Sequence, residues 1–157
     1  MRLASRLAAL ASALWAGVLA CIGAMAAPSA FATLAVPDAG RFVGRLFAQE
    51  AYLSLTLALL LFLVERQRSR DAAQAGTGSV FSVNIMLIFG TLFCTVAGYF
   101  AVQPMIESAR RGEGGPSFAV LHGVASAFFL AKVGAAAALA WRLTARRAVA
   151  TPAAPTS

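Results

Sequence analysis

Four long apolar runs, separated by short polar stretches, organise this chain. They cover roughly 7–27, 46–64, 80–104 and 118–141. A membrane crossing needs about 20 predominantly apolar residues, and each run is near or above that length. The runs predict helices, because barrel strands would be about 10 residues long with alternating polarity, and no such alternation is present. The expected fold is an all-α membrane protein, a four-transmembrane-helix bundle over residues 7–142, followed by a disordered tail over 143–157 made largely of Ala, Thr and Pro.

Between the runs the punctuation is local. Pro28 is expected to end the first span, with a loop over 28–40 in which Pro37 and Asp38 supply turn chemistry. Residues 41–45 read as an interfacial first turn of the second helix. The stretch 65–79 is polar and ends Gly76-Thr77-Gly78-Ser79, which predicts a flexible linker. Pro104 closes the third span. The next loop holds Glu107, Arg110, Arg111 and Glu113, then Gly114-Gly115-Pro116.

Composition agrees with the pattern. The chain has 157 residues, 60% hydrophobic and 12% charged, against about a quarter charged in soluble domains. The net charge of +7 does not point to nucleic acid, because the arginines lie in short clusters between apolar runs. They set orientation instead. Arg2, Arg6, Arg66, Arg68, Arg70, Arg142, Arg146 and Arg147 fall on one side, eight in all, and Arg41, Arg45, Arg110 and Arg111 on the other. The positive-inside rule then puts both termini in the cytoplasm of a bacterial-type inner membrane. The first run also has features of a cleavable signal peptide, with Ala24-Met25-Ala26 as its small-residue site, and Val18-Leu19-Ala20-Cys21 has the outline of a lipoprotein box. A retained helix is favoured by the length of the apolar core and by the three spans that follow.

Lys132 is the residue most at odds with its surroundings. An ionisable group near mid-membrane needs a partner and is by default a functional candidate. Counting a rise of about 1.5 Å per residue from the ends of the apolar runs, and letting the lysine snorkel toward the inner interface, brings it toward Asn84, Thr91 and Glu65. By the same count Glu50, Tyr99 and His122 share a level near the outer surface, with Arg45 close by, which suggests a polar outer layer and a Glu50–His122 pair. A satisfied structural layer and a ligand or proton site both fit these groups.

Cys21 and Cys94 also share a level, with Met25, Met105 and His122 near it. Thiolate, thioether and imidazole suit soft metals such as copper. The small residues recurring every four positions around both cysteines fit close helix packing equally well. One histidine cannot hold a tetrahedral zinc by itself, and an axial haem role would find no second histidine. No nucleophile motif, phosphate loop or paired-carboxylate site is present, so neither an enzyme nor a cofactor is expected.

Several motifs at helix ends resemble the transmembrane-protein-205-like domain family. They are Trp15-Ala16-Gly17 with Pro28-Ser29-Ala30-Phe31, Gly44-Arg45-Leu46-Phe47 with Tyr52, Tyr99-Phe100 with Pro104, and Phe118 with Leu121-His122-Gly123. Ala125 and Phe129 stand where members of that family often carry Ser and Asn. The resemblance implies a small four-helix membrane domain of largely undefined activity and a retained first helix. It also implies a distant likeness to copper-resistance and haem-biosynthesis membrane domains. The functions that stay open are a small solute or ion binding or transport module, a non-catalytic structural or accessory subunit, and a soft-metal or haem-related domain. The expected partners are the lipid bilayer and either a second copy or another membrane protein.

Overall fold

A computed structural model describes residues 2–149, with side chains described for 3–145. Helix α1 (Arg2–Cys21) runs through a π-helical segment (Ile22–Ala26) into α2 (Ala27–Thr33). After a two-residue break comes α3 (Val36–Gln74), then α4 (Val83–Thr95), which passes through a second π-helical segment (Val96–Val102) into α5 (Gln103–Arg110). The last helix is α6 (Phe118–Val149). Four continuous helical stretches, Leu3–Thr33, Val36–Gln74, Val83–Arg110 and Phe118–Ala145, are long and apolar enough to cross a membrane. The protein is a multi-pass, all-helical membrane bundle, as lipid requires of a chain whose backbone groups must pair within each span.

The helices are longer than the apolar runs, and the reasons are local. Pro28 and Pro104 do not end their helices. A proline lacks an N–H and crowds the carbonyl four residues back. Here a widened π turn lies immediately ahead of each proline, and the Ala27 N–H reaches the Ile22 carbonyl, five residues back. The loop expected over 28–40 is therefore α2, a break at 34–35, and the start of α3. Pro37 and Asp38 sit in the first turn of α3, where proline is tolerated and an acid favours the helix dipole; Asp38 pairs with Arg41. Residues 65–74, read as linker, continue α3, because no breaker interrupts them before Gly76, whose φ is +68°. Likewise α6 passes the expected boundary at 142 and reaches Val149, since the residues in between contain neither Gly nor Pro. The remainder of the predicted tail, 150–157, lies outside the described residues.

Packing makes a square. α1 packs on α3 and α6, and α4 packs on the same two, so α3 and α6 face each other across the diagonal. The main apolar core joins Trp15, Leu19, Leu61, Ile88, Leu139 and Leu143. A smaller one at the other end joins Val102, Ile106 and Leu121.

Two neighbouring phenylalanines of α6 wedge this square open toward the π-helical segments. A Cβ on Gly23 would lie 2.7 Å from the Phe129 ring, and one on Gly98 would lie 3.0 Å from Phe128 Cβ. Glycine is required at both places by close approach. Phe129 also packs edge-to-face on Phe47, with centroids 5.1 Å apart, and Phe128 similarly on Phe93, at 5.9 Å.

Gly98→Ala should lower stability in detergent by about 1–3 kcal/mol, the usual range for an overpacked site, because the contacting atom is a Cβ that cannot swing aside. Gly90→Ala, on the same helix with open space around its Cβ, should be neutral or stabilising by about 0.5–1 kcal/mol. Thermal unfolding of the two variants checks this, and equal effects would contradict the wedge.

Candidate functional site

Glu50 and Lys132 meet in the centre of the bundle. Lys132 Nζ lies 2.8 Å from Glu50 Oε1 and 2.7 Å from Oε2, with both side chains almost fully buried, at 5% and 2% exposure. Glu50 comes from α3 and Lys132 from α6, so the bond spans the diagonal. Their meeting follows from helix geometry. Glu50 lies fourteen residues after Val36, the first residue of α3, and Lys132 fourteen after Phe118, the first of α6. At 1.5 Å per residue both sit about 21 Å along helices that run the same way. Side chains lean toward the N-terminus of their own helix, so the two long groups lean together.

The pair is enclosed by further polar contacts. Ser54, one turn after Glu50 on the same face, donates to Glu50 Oε1. Trp15 Nε1 of α1 donates to Ser54 Oγ at 2.9 Å. The Phe129 ring flanks the ammonium, its centroid 5.4 Å from Nζ. Three of the four spans thus contribute to one chain of bonds, Trp15 to Ser54 to Glu50 to Lys132. Among the described residues no buried side-chain nitrogen or oxygen lacks a partner.

This corrects both polar layers expected from the sequence. Lys132 is held by Glu50 and not by Asn84, Thr91 or Glu65. The end of the apolar run at residue 46 is not the start of the helix, which begins at Val36 and so puts Glu50 deep in the bundle, and the lysine side chain leans toward the N-terminus of α6 and not toward the inner interface. The proposed Glu50–His122 pair does not form. His122 lies ten residues before Lys132 on α6, about 15 Å along the axis, exposed and stacked on Phe118. Tyr99 is half-buried with its ring edge-on to Phe100, and Arg45 is exposed; among the described residues no hydrogen bond or ion pair joins any two of the four.

Asn84 and Glu65 do come together, in a second network. Asn84 Nδ2 donates to Glu65 Oε2 at 2.8 Å, and Arg142 Nε donates to Asn84 Oδ1 at 2.9 Å. Arg68 pairs with Glu65 at 2.6 Å. Glu65 and Asn84 are fully buried, and this layer ties α3, α4 and α6 beyond the main core. Thr91 is buried but turns back on its own helix, donating to the Ile88 carbonyl at 2.7 Å.

Ser54 and Arg142 were not anticipated. Ser54 could have been found from its spacing of four from Glu50, and Arg142 from its place where the last apolar run meets the polar side. The soft-metal candidates are dispersed in environment. Cys21 and Cys94 are free, the first exposed and the second partly buried, and Met25 and Met105 are exposed. Among the described residues no three His, Cys, Asp or Glu are grouped to hold a metal ion.

The fold and its buried charges define a small helical membrane domain. The chain belongs to the family described as a domain of unknown function, DUF4149, which it matches over residues 10–114. That stretch includes Trp15, Glu50, Ser54, Glu65 and Asn84 and ends before α6, which carries Lys132 and Arg142. No curated protein and no solved structure shows significant similarity to the chain.

Lys132→Met leaves the Glu50 carboxylate buried without its cation, and should cost about 3–5 kcal/mol of stability. Glu50→Gln combined with Lys132→Met should recover most of that loss, since neutral replacement of a whole buried pair is often tolerated. Detergent unfolding of the two single variants and the double checks this; a double variant as weak as the sum of the singles would contradict the pairing.

Proposed function

We propose that this chain is a non-catalytic structural or accessory subunit of a membrane complex, placed in a bacterial-type inner membrane with both termini in the cytoplasm. The observation that carries the reading is the closure of the Glu50–Lys132 pair. Both carboxylate oxygens accept from the ammonium, Ser54 caps one of them, and the charges are buried. A group that passes protons or ions needs a polar route to the outside. Two grooves on the described part of the bundle are lined by other residues: one by Leu55, Ala58, Phe62 and Ile88 among others, the second by Phe31, Arg110, Phe118 and His122 among others. A closed pair acts as a strut that fixes the register of α3 against α6. The resemblance to transmembrane-protein-205-like domains belongs to the same proposal, resting on the motifs around Trp15, Tyr99, Pro104 and His122.

Two measurements test it. A probe cysteine at Gly114 should label from the periplasmic side and one at Gly76 should not, in a background where Cys21 and Cys94 are replaced by Ala; the reverse pattern overturns the orientation. Purified protein in sealed vesicles should show no protein-dependent proton or cation flux under an imposed gradient. A flux that disappears in the folded Glu50→Gln/Lys132→Met variant would replace the structural reading with a transport one.

A further inference from the structure

At the end of the bundle where α3 and α6 begin, a groove of about 590 Å³ is lined by Phe31, Val36, Pro37, Gly40, Arg110, Phe118 and His122. Three of these residues form a stack. The Arg110 guanidinium lies 5.1 Å from the centroid of the Phe118 ring. The His122 ring is stacked on the same phenyl, 5.6 Å away and tilted by 12°. The cation is thus held in place over an aromatic face, at the mouth of an apolar slot.

The charge of Arg110 is not absorbed by the protein. Its neighbour Arg111 is taken by Glu113, with contacts of 2.5 and 3.0 Å that hold the Glu113 carboxyl below the usual carboxylate range. Arg110 meets no carboxylate among the described residues, and no Asp or Glu lines the groove. Such a site favours an anion, and its walls of Phe31, Val36, Pro37 and Phe118 ask for an apolar body attached to that anion. The groove also lies where the polar loop 111–117 gives way to the first residue of a membrane-spanning helix, the level at which lipid headgroups sit.

We propose that this groove is a binding site for one anionic phospholipid. Its phosphate is bound by Arg110, through the bidentate geometry guanidinium offers to phosphate, with His122 as a second donor. Its glycerol and upper acyl carbons lie against Phe31, Val36 and Phe118. The site is separate from the Glu50–Lys132 strut, and its occupancy does not depend on the structural reading above.

Native mass spectrometry of the full chain in detergent tests this, with phosphatidylglycerol and phosphatidylcholine of the same acyl chains as probes. One phosphatidylglycerol should bind in preference to phosphatidylcholine. Arg110→Gln, a change at an exposed side chain, should weaken that binding by roughly tenfold or more with the thermal midpoint unchanged. Arg111→Gln removes the same net charge and should leave the preference intact. Gly40→Leu, which fills the slot, should abolish binding while Arg110 remains. Equal binding of the two lipids, or an Arg110→Gln chain that keeps its preference, would overturn the site. Displacement of the lipid by millimolar inorganic phosphate would show a free-anion site in its place.

Discussion

Glu50 and Lys132 cannot sit apart in lipid. Either one alone in the interior carries a desolvation penalty of several kcal/mol, and that penalty is relieved when the ammonium meets both carboxylate oxygens at 2.7 and 2.8 Å. Because the two residues lie on diagonal helices, their contact requires α3 and α6 to stand no farther apart than a lysine and a glutamate can reach between α1 and α4. It also requires α3 and α6 to start at the same level. The remaining contacts are consistent with those two conditions. Trp15 and Ser54 fill the α1 side of the pair, the main apolar core stacks on one side of it, and the Val102, Ile106, Leu121 cluster lies on the other.

The two π-helical segments belong to the same packing problem. Each precedes a proline, and each carries a glycine against which a phenylalanine of α6 is seated. Phe129 touches Gly23 and Phe47 and also shields the Lys132 ammonium. The wedge residues and the charge pair are therefore adjacent on one face of α6. A change in how the first π-helical segment seats Phe129 would be felt at the lysine, and the reverse holds as well. Helix–helix association in lipid relies on such close backbone approach and on interhelical polar contacts, because burying apolar surface gains little there.

Fold class, the number of spans and the presence of a buried lysine were all legible in the sequence, because run length and charge placement report directly on the membrane. Helix ends were not. Pro28, Pro37 and the polar stretch 65–74 are usual marks of loops in water, yet here they lie inside helices that extend beyond the apolar runs. That error propagated to the site. Starting α3 at residue 46 instead of Val36 shifted Glu50 by ten residues, about 15 Å, which separated it from Lys132 and placed it beside His122. The sequence places Asn84 and Glu65 as partners for Lys132, but the two pair with each other instead. Ser54 and Arg142 are marked in the sequence only by position, four residues after Glu50 and at the end of the last apolar run, since hydrophobic periodicity says nothing about which polar side chains face one another.

The central claim is that one diagonal ion pair sets the register of the bundle. Exchanging its charges tests this most directly. Lys132→Glu by itself places two carboxylates together in the interior and should prevent a stable fold in detergent. Glu50→Lys combined with Lys132→Glu restores an opposite pair at the same two positions, and should recover a cooperative thermal transition. A swapped chain no more stable than Lys132→Glu alone would contradict the claim.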